Sequence, residues 1–254
     1  MPRVSVRSFV LLALAAGGCG ADASSPVPLA VFAASSLTEA FTDLEASFER
    51  EHPRIDVQLT FAGSHVVRLQ IEHGAAADVF ASADPEQMAA LQDAGRLESN
   101  VVFARNELVL VVPASNPASI EQFADLPKAS RIVLGSAATP AGRYADAVLE
   151  RSDAEFAAAV REHVVSRETN VRLVRAKVEL GEADAAVVYR TDATHARGLR
   201  SVSIPSAVEV PVELPIGVLS DAPHLEAARW FADHVLSVSG QASLGAHGFK
   251  TGAP

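Results

Sequence analysis

The chain has 254 residues, 49% of them hydrophobic and 20% charged, and a formal net charge of −10. That composition excludes a disordered chain and allows one large or two small domains with a real core. No cluster of Lys or Arg marks a nucleic-acid-binding surface, and an anionic ligand would have to be held by local dipoles against a slightly opposing overall field.

At the amino end, Arg3 and Arg7 precede an apolar run over residues 9–16, and small residues follow. This is a secretory signal pattern. The run is too short to span a membrane, which takes ~20 apolar residues. The single cysteine, Cys19, stands directly after Ala16-Gly17-Gly18. The segment resembles a bacterial lipoprotein signal, in which that cysteine becomes the lipidated first residue, although Ala16 occupies a place where Leu is more usual. The other reading is an ordinary cleaved signal with an incidental cysteine. Either leaves no cysteine for a disulfide, and residues 20–28 read as a flexible tether.

From residue 29 onward strand and helix signals alternate. Residues 29–33 read as a short buried strand. Leu37, Phe41, Leu44 and Phe48 then recur at a 4-3-4 spacing that marks one helical face, and Ser36 with Glu39 reads as a capping box at its start. Residues 55–61 alternate weakly as a second strand. Residues 66–73 are helical, stopped by Gly74. Residues 78–82 predict a third strand. Asp84-Pro85 then reads as an N-cap followed by the first helical position, with Gly95 ending that helix. Residues 107–113 are almost wholly apolar and predict a central strand. Ser119 is expected to cap a short helix, and residues 131–135 to form a strand. Helices start at Pro140 and Val171, separated by a helical stretch around residues 154–165. Residues 185–189 and 214–220 read as strands. Residues 225–238 predict a helix carrying Trp230 and Phe231, and residues 239–246 a last helical segment before Gly248-Phe249. The alternation predicts an α/β architecture of mostly parallel sheets flanked by helices. Two such domains, with ligand loops at the carboxyl ends of their strands, would face each other across a cleft.

Four stretches share one design: VFAASSLTEAF (31–41), LTFAGSHVVRLQI (59–71), IVLGSAATPAGRYA (132–145) and SRETNVRLVRAKV (166–178). In each, a short apolar strand runs into a small polar residue (Ser36, Ser64, Thr139 or Asn170) and then into a helix. A helix start carries backbone N–H groups without partners and the positive end of the helix dipole. Several such ends aimed at one point bind a small anion without any arginine or lysine. A serine hydroxyl at Ser36 or Ser64 can accept from an amide and still donate its own proton, and Gly63 permits close backbone approach before Ser64. His65 reads either as a surface helix residue or as a border of the pocket. Thr139 can cap the Gly142 amide, and Pro140 has no N–H, which leaves the Ala141 amide for an anion. Asn170 repeats the arrangement with the Val171 amide as donor. Tyr189, one of two tyrosines, ends a strand and offers a phenol. The set suits a tetrahedral, doubly charged oxyanion.

VFAASSL, FAGSHVVRLQIEHGAAADVFASAD, TPAGRYA, NVRLVRAKVELGEADAAVVYRTDA and the terminal GF together resemble the periplasmic molybdate-binding proteins of the ABC-type molybdate importer. The segments occur in family order and spacing over nearly all of residues 29–250. The resemblance implies a type II periplasmic-binding fold: two α/β lobes, hinge strands and an oxyanion in the interlobe cleft. It divides the chain into a signal and tether (1–28), one lobe from 29–105 plus 216–254, and a second from 106–215. Carried over position by position, Ser36 and Ser64 donate hydroxyl and backbone hydrogen bonds, Ala141 and Val171 their amides and Tyr189 its phenol. Gly63 and His65 depart from the serine-rich versions of that segment. The implied protein is no enzyme and uses no cofactor. It is a monomer that carries molybdate or tungstate as the oxyanion, with no side chain on the metal, to a permease in the cytoplasmic membrane. It works outside the cytoplasm; the lipoprotein reading of the leader would anchor it through lipidated Cys19, and the lack of a Lys or Arg cluster argues against a nucleic-acid partner.

Other readings are open at this level. The ligand could be sulfate or thiosulfate. A secreted serine hydrolase is disfavoured because there is no G-x-S-x-G elbow and the eight histidines form no recognisable triad motif. A metal-cation receptor is disfavoured by the lack of H-E-x-x-H and of a cysteine pair, and His65 and His73 are not at i, i+4 spacing.

Overall fold

The computed structural model describes residues 25–251; the leader and Cys19 lie outside the described residues. The chain begins with β1 (Val27–Ala34), a 3-10 turn (Ser35–Leu37), α1 (Thr38–Glu51), β2 (Ile55–Ala62), α2 (Ser64–Glu72), β3 (Val79–Ala81), α3 (Pro85–Asp93) and β4 (Leu97–Asn106). It continues through β5 (Leu108–Pro113), a 3-10 helix (Phe123–Lys128), β6 (Ile132–Gly135), α4 (Pro140–Arg151) and α5 (Ala154–Glu162). Next come β7 (Val164–Glu168), α6 (Val171–Glu179), β8 (Ala185–Tyr189), α7 (Arg190–Thr194) and β9 (Leu199–Ser203). It ends with β10 (Val212–Leu219), α8 (Leu225–Leu236) and α9 (Val238–Ala246).

The strands form two five-stranded sheets, in the orders β2-β1-β3-β10-β4 and β7-β6-β8-β5-β9. The expected two-lobed α/β architecture is present, and each sheet is mixed. β1 pairs in parallel with β2 and β3, and β6 with β7 and β8, through helical crossovers. β10 and β5 run antiparallel to both of their neighbours. Both are strands that enter their sheet from the other lobe: β5 follows β4 after Glu107, and β10 returns after β9. Such a strand needs no right-handed crossover and is free to lie antiparallel.

The apolar spacing read in α1 has the expected consequence. Phe41, Leu44 and Phe48 are wholly buried. Phe48 and Phe41 meet Phe231 of α8 edge to face, with centroids 5.3 and 6.1 Å apart. Burying each such ring contributes ~1.5–3 kcal/mol. In the second sheet, residues 108–112 of β5 are buried between β8 and β9.

Two local readings are corrected. Ser119 caps no helix: it sits at φ 54, and at the start of the 3-10 helix that follows Asp125 Oδ2 accepts from the Gln122 amide at 3.1 Å. The helical stretch expected around 154–165 stops at Glu162, and Val164 opens β7. The VVSRE sequence of that strand alternates in burial with period two, which a helix would not.

Candidate functional site

The parallel strands end together at one edge of each sheet. Ala34 of β1 is in register with Ala62 of β2, so the turns bearing Ser36 and Ser64 lie side by side. In the second sheet Gly135 of β6 is opposite Glu168 of β7, which sets the Thr139 turn beside the Asn170 turn. The two pairs of turns meet face to face. Ser36, Ser64, Ala141, Val171 and Tyr189 all line one small cavity between the sheets. The space it leaves for the centre of a water-sized group is about 20 Å³, roughly one compact group. A wider groove of about 660 Å³ lies on the first lobe, between Val27, His52 and Trp230, and contains none of these residues.

The donors come from four helix starts and one strand end. On α4, Thr139 Oγ1 accepts from the Gly142 amide at 2.9 Å, and Pro140 occupies the first helical position. On α6, Asn170 Oδ1 accepts from the Leu173 amide at 3.1 Å. Among the described residues nothing accepts from the amides of Ala141 and Val171, which are 3% and 4% exposed. A buried N–H without a partner is rare in folded proteins. Glycine is required behind the α4 start. A methyl at Gly142 would stand 2.5 Å from the Gly135 carbonyl oxygen and closer still to that of Ser136.

Ser36 departs from its expected local role. It lies inside the 3-10 turn, α1 starts after Leu37 without a side-chain cap, and Glu39 turns away to Arg172. The capping box is absent, and Ser36 Oγ is buried without any partner. Ser64 occupies the first position of α2 after the N-cap Gly63. Its Oγ accepts from the Ala83 amide at 3.0 Å, which leaves its proton free to be donated into the cavity. Tyr189 is 2% exposed, its hydroxyl has no partner, and its ring stands edge to face against Tyr144 at 6.4 Å. Burial holds the Tyr189 phenol well above the usual range, with the nearby Tyr144 and Asp192 adding to the rise. The group therefore stays a neutral donor.

No lysine, arginine, histidine or carboxylate is among the described residues that line the cavity. His65 lies behind it, half-buried, with its ring against Gly63 and its Nδ1 buried and unpartnered. Burial, and then Arg143 and Arg68, lower its pKa and hold it neutral. Ser35 also lines the cavity and Ala83 closes it beside Ser64. Neither was singled out from sequence, although the doubled serine of AASSL was the available signal. Among the described residues no group of histidine, cysteine or carboxylate side chains is placed to hold a metal ion.

Two α/β lobes that close their strand ends over a cavity of neutral donors make a solute-binding protein, and among the described residues lining the cavity no base stands beside the hydroxyls. The comparisons with known proteins agree. Residues 29–250 match the bacterial extracellular solute-binding protein family, and the chain belongs to that family. It is 35% identical over 254 residues to the molybdate-binding protein ModA of Mycobacterium tuberculosis, covering 96% of this chain and 95% of that protein. Among solved structures, the periplasmic molybdate-binding protein of Azotobacter vinelandii superposes with a TM-score of 0.78 at 19% identity, over 89% of this chain and all of that one. The sulfate-binding protein SubI of Mycobacterium tuberculosis gives 0.81 at 18% identity, over 90% and 88%. At such identities the two structures show the shared fold. No helix among the described residues is long and apolar enough to cross a membrane.

Proposed function

We propose that this protein captures molybdate, and tungstate as well, outside the cytoplasm and hands it to the permease of an ABC transporter. The observation that carries this reading is the pair of buried, partnerless hydroxyls of Ser36 and Tyr189, one from each lobe, facing one small cavity. Ser64 and the Ala141 and Val171 amides supply the remaining donors. A hydrogen bond to a charged group contributes ~1.5–3 kcal/mol net, so a handful hold a dianion by geometry. No charged acceptor faces the cavity, which disfavours an oxyanion that keeps a proton, such as hydrogen phosphate. The relatedness to a molybdate-binding protein over nearly the whole chain supports molybdate over sulfate.

On this reading the lobes are hinged where the chain passes between sheets, at Asn106–Glu107 and just before Val212. The protein works as a monomer, tethered through the residues between a lipidated Cys19 and β1. Labelling with an alkynyl fatty acid should mark the wild type and not Cys19→Ala.

Isothermal titration against molybdate, tungstate and sulfate tests the ligand. Molybdate and tungstate should both bind far more tightly than sulfate; tight sulfate binding without molybdate binding overturns the choice. Tyr189→Phe should weaken molybdate by roughly 1–3 kcal/mol, the loss of one such bond. An unchanged dissociation constant would remove Tyr189 from the site.

A further inference from the structure

Two arginines stand next to the neutral cavity, and neither faces it. Arg172 follows Val171 on α6, and Arg143 lies two residues beyond Ala141 on α4. Each reaches across the cleft to a carboxylate on the opposite lobe. Arg172 Nη1 bonds Glu39 at 2.8 and 2.9 Å. Arg143 pairs through Nη2 with Asp84, and through Nε with Glu86 at 2.9 Å. Glu39 sits on α1 three residues past Ser36. Asp84 is the N-cap of α3 and directly follows Ala83, whose amide holds Ser64. Thus each pair ties one amide donor of the second lobe to one serine donor of the first.

The lobes are closed around these contacts. A methyl on Gly63 would stand 2.5 Å from the Thr169 carbonyl oxygen on the other side. The Asp84 side chain is only 5% exposed, and Glu39 and Arg172 are about one-third exposed. Burial alone would raise the Glu39 carboxyl, yet the hydrogen bond and charge of Arg172 leave it below the ordinary value.

We propose that the Glu39–Arg172 and Asp84–Arg143 pairs are closure latches, with both arginines as positioning residues that set the Ala141 and Val171 amides on the bound oxyanion. This inference rests on the molybdate-binding reading above. Opening the cleft must break both pairs. Without Arg143, closure would bury Asp84 unpaired, which is strongly unfavourable. The carboxylates also hold the guanidinium groups away from the anion, so recognition stays with fixed neutral donors.

Glu39→Gln and Asp84→Asn give the deciding test, because simple electrostatics and a latch predict opposite signs. Removing a negative charge beside an anion site should tighten binding by Coulomb attraction alone. A latch predicts weaker binding: molybdate should dissociate about threefold faster from Glu39→Gln and about tenfold faster from Asp84→Asn, with association unchanged or slightly quicker. Asparagine can still accept from the Gln87 amide that Asp84 now caps at 3.0 Å, so the ligand-free melting temperature should hold. Arg172→Lys should restore most of what Arg172→Gln loses. In a double-mutant cycle, Glu39→Gln should add nothing once Arg172 is Gln. If wild-type protein binds molybdate and Glu39→Gln and Asp84→Asn bind it equally or more tightly, the latch is refuted and the ligand reading stands. If wild type binds no molybdate, tungstate or sulfate, the ligand reading fails and the latch falls with it.

Discussion

The two serines of the site differ in their partners within the chain, and their alanine variants should separate. Ser36 Oγ has no partner, so its removal breaks nothing already made. Ser36→Ala should therefore leave the ligand-free melting temperature in place and weaken molybdate by ~1.5–3 kcal/mol. Ser64 Oγ satisfies the buried Ala83 amide. Ser64→Ala should cost about 1–3 kcal/mol of stability for the orphaned N–H, in addition to the loss of affinity. Calorimetric unfolding and titration of both variants check this; equal destabilisation would contradict the assignment. A second titratable group lies close by. Asp192 is buried, with Oδ2 unpartnered, and its pKa is raised from 3.8 to about 7, chiefly by burial, against the opposing charges of Arg175 and Arg172. Its folded form holds a proton that the unfolded chain has already lost, so this group makes stability fall as pH rises from about 4 to about 7. The slope from one such proton approaches ~1.4 kcal/mol per pH unit. Asp192→Asn should flatten that part of the stability curve and be the more stable protein at pH 8, as read by denaturant unfolding across pH; parallel curves would count against the raised pKa. At this scale the sequence was most legible where local chemistry decides, as with Thr139 on Gly142 and Asn170 on Leu173. It misled at Ser36, where the box partner Glu39 is taken by Arg172 from 133 residues away, a contact no local pattern contains.

Among the elements, α4 is the one whose position most directly sets the site. Its first turn is pressed onto the end of β6, where Gly135 and Gly142 leave no room for a side-chain carbon: a methyl at Gly135 would lie 2.5 Å from Thr139 Oγ1. Gly142→Ala must push the helix start away from the Gly135 and Ser136 carbonyls and carry the Ala141 amide with it. Molybdate affinity should drop at least about tenfold, the equivalent of ~1.4 kcal/mol, because a displaced donor loses much of a charge-assisted bond. The unfolding midpoint should fall as well, by overpacking. Retained affinity in a destabilised protein would show that the α4 amide is not a ligand contact. The strands that escaped sequence reading have a common cause. β4, β7 and β9 are all edge strands. β7 and β9 carry no fully apolar run, and β4 exposes its Glu98, Ser99 and Asn100. An edge strand has one neighbour and more solvent, so its sequence need not be apolar. The strands buried in the sheet centres, β5 and β8, were read at or within a residue of their observed bounds.

Over the whole molecule, the alternation of strands and helices was enough to indicate two α/β lobes with ligand loops at strand ends. It did not contain the antiparallel entry of β5 and β10, which follows from the chain passing between lobes. Net charge, by contrast, is read directly, and it makes the final prediction. The chain carries −10, and the two arginines nearest the cavity are already paired with carboxylates. An approaching dianion therefore meets a repulsive field and, among the described residues lining the cavity, no cation. The Debye length shrinks from ~30 Å at 0.01 M salt to ~8 Å at 0.15 M, so salt screens the repulsion before it reaches the buried donors. Stopped-flow association of molybdate should accelerate about two- to fivefold over that range. Dissociation should also quicken as the cleft-spanning pairs are weakened. A pocket that presented free guanidinium groups would show association slowing with salt. That result would mean Arg143 and Arg172 meet the ligand as charges, and that the neutral-donor account of recognition is wrong.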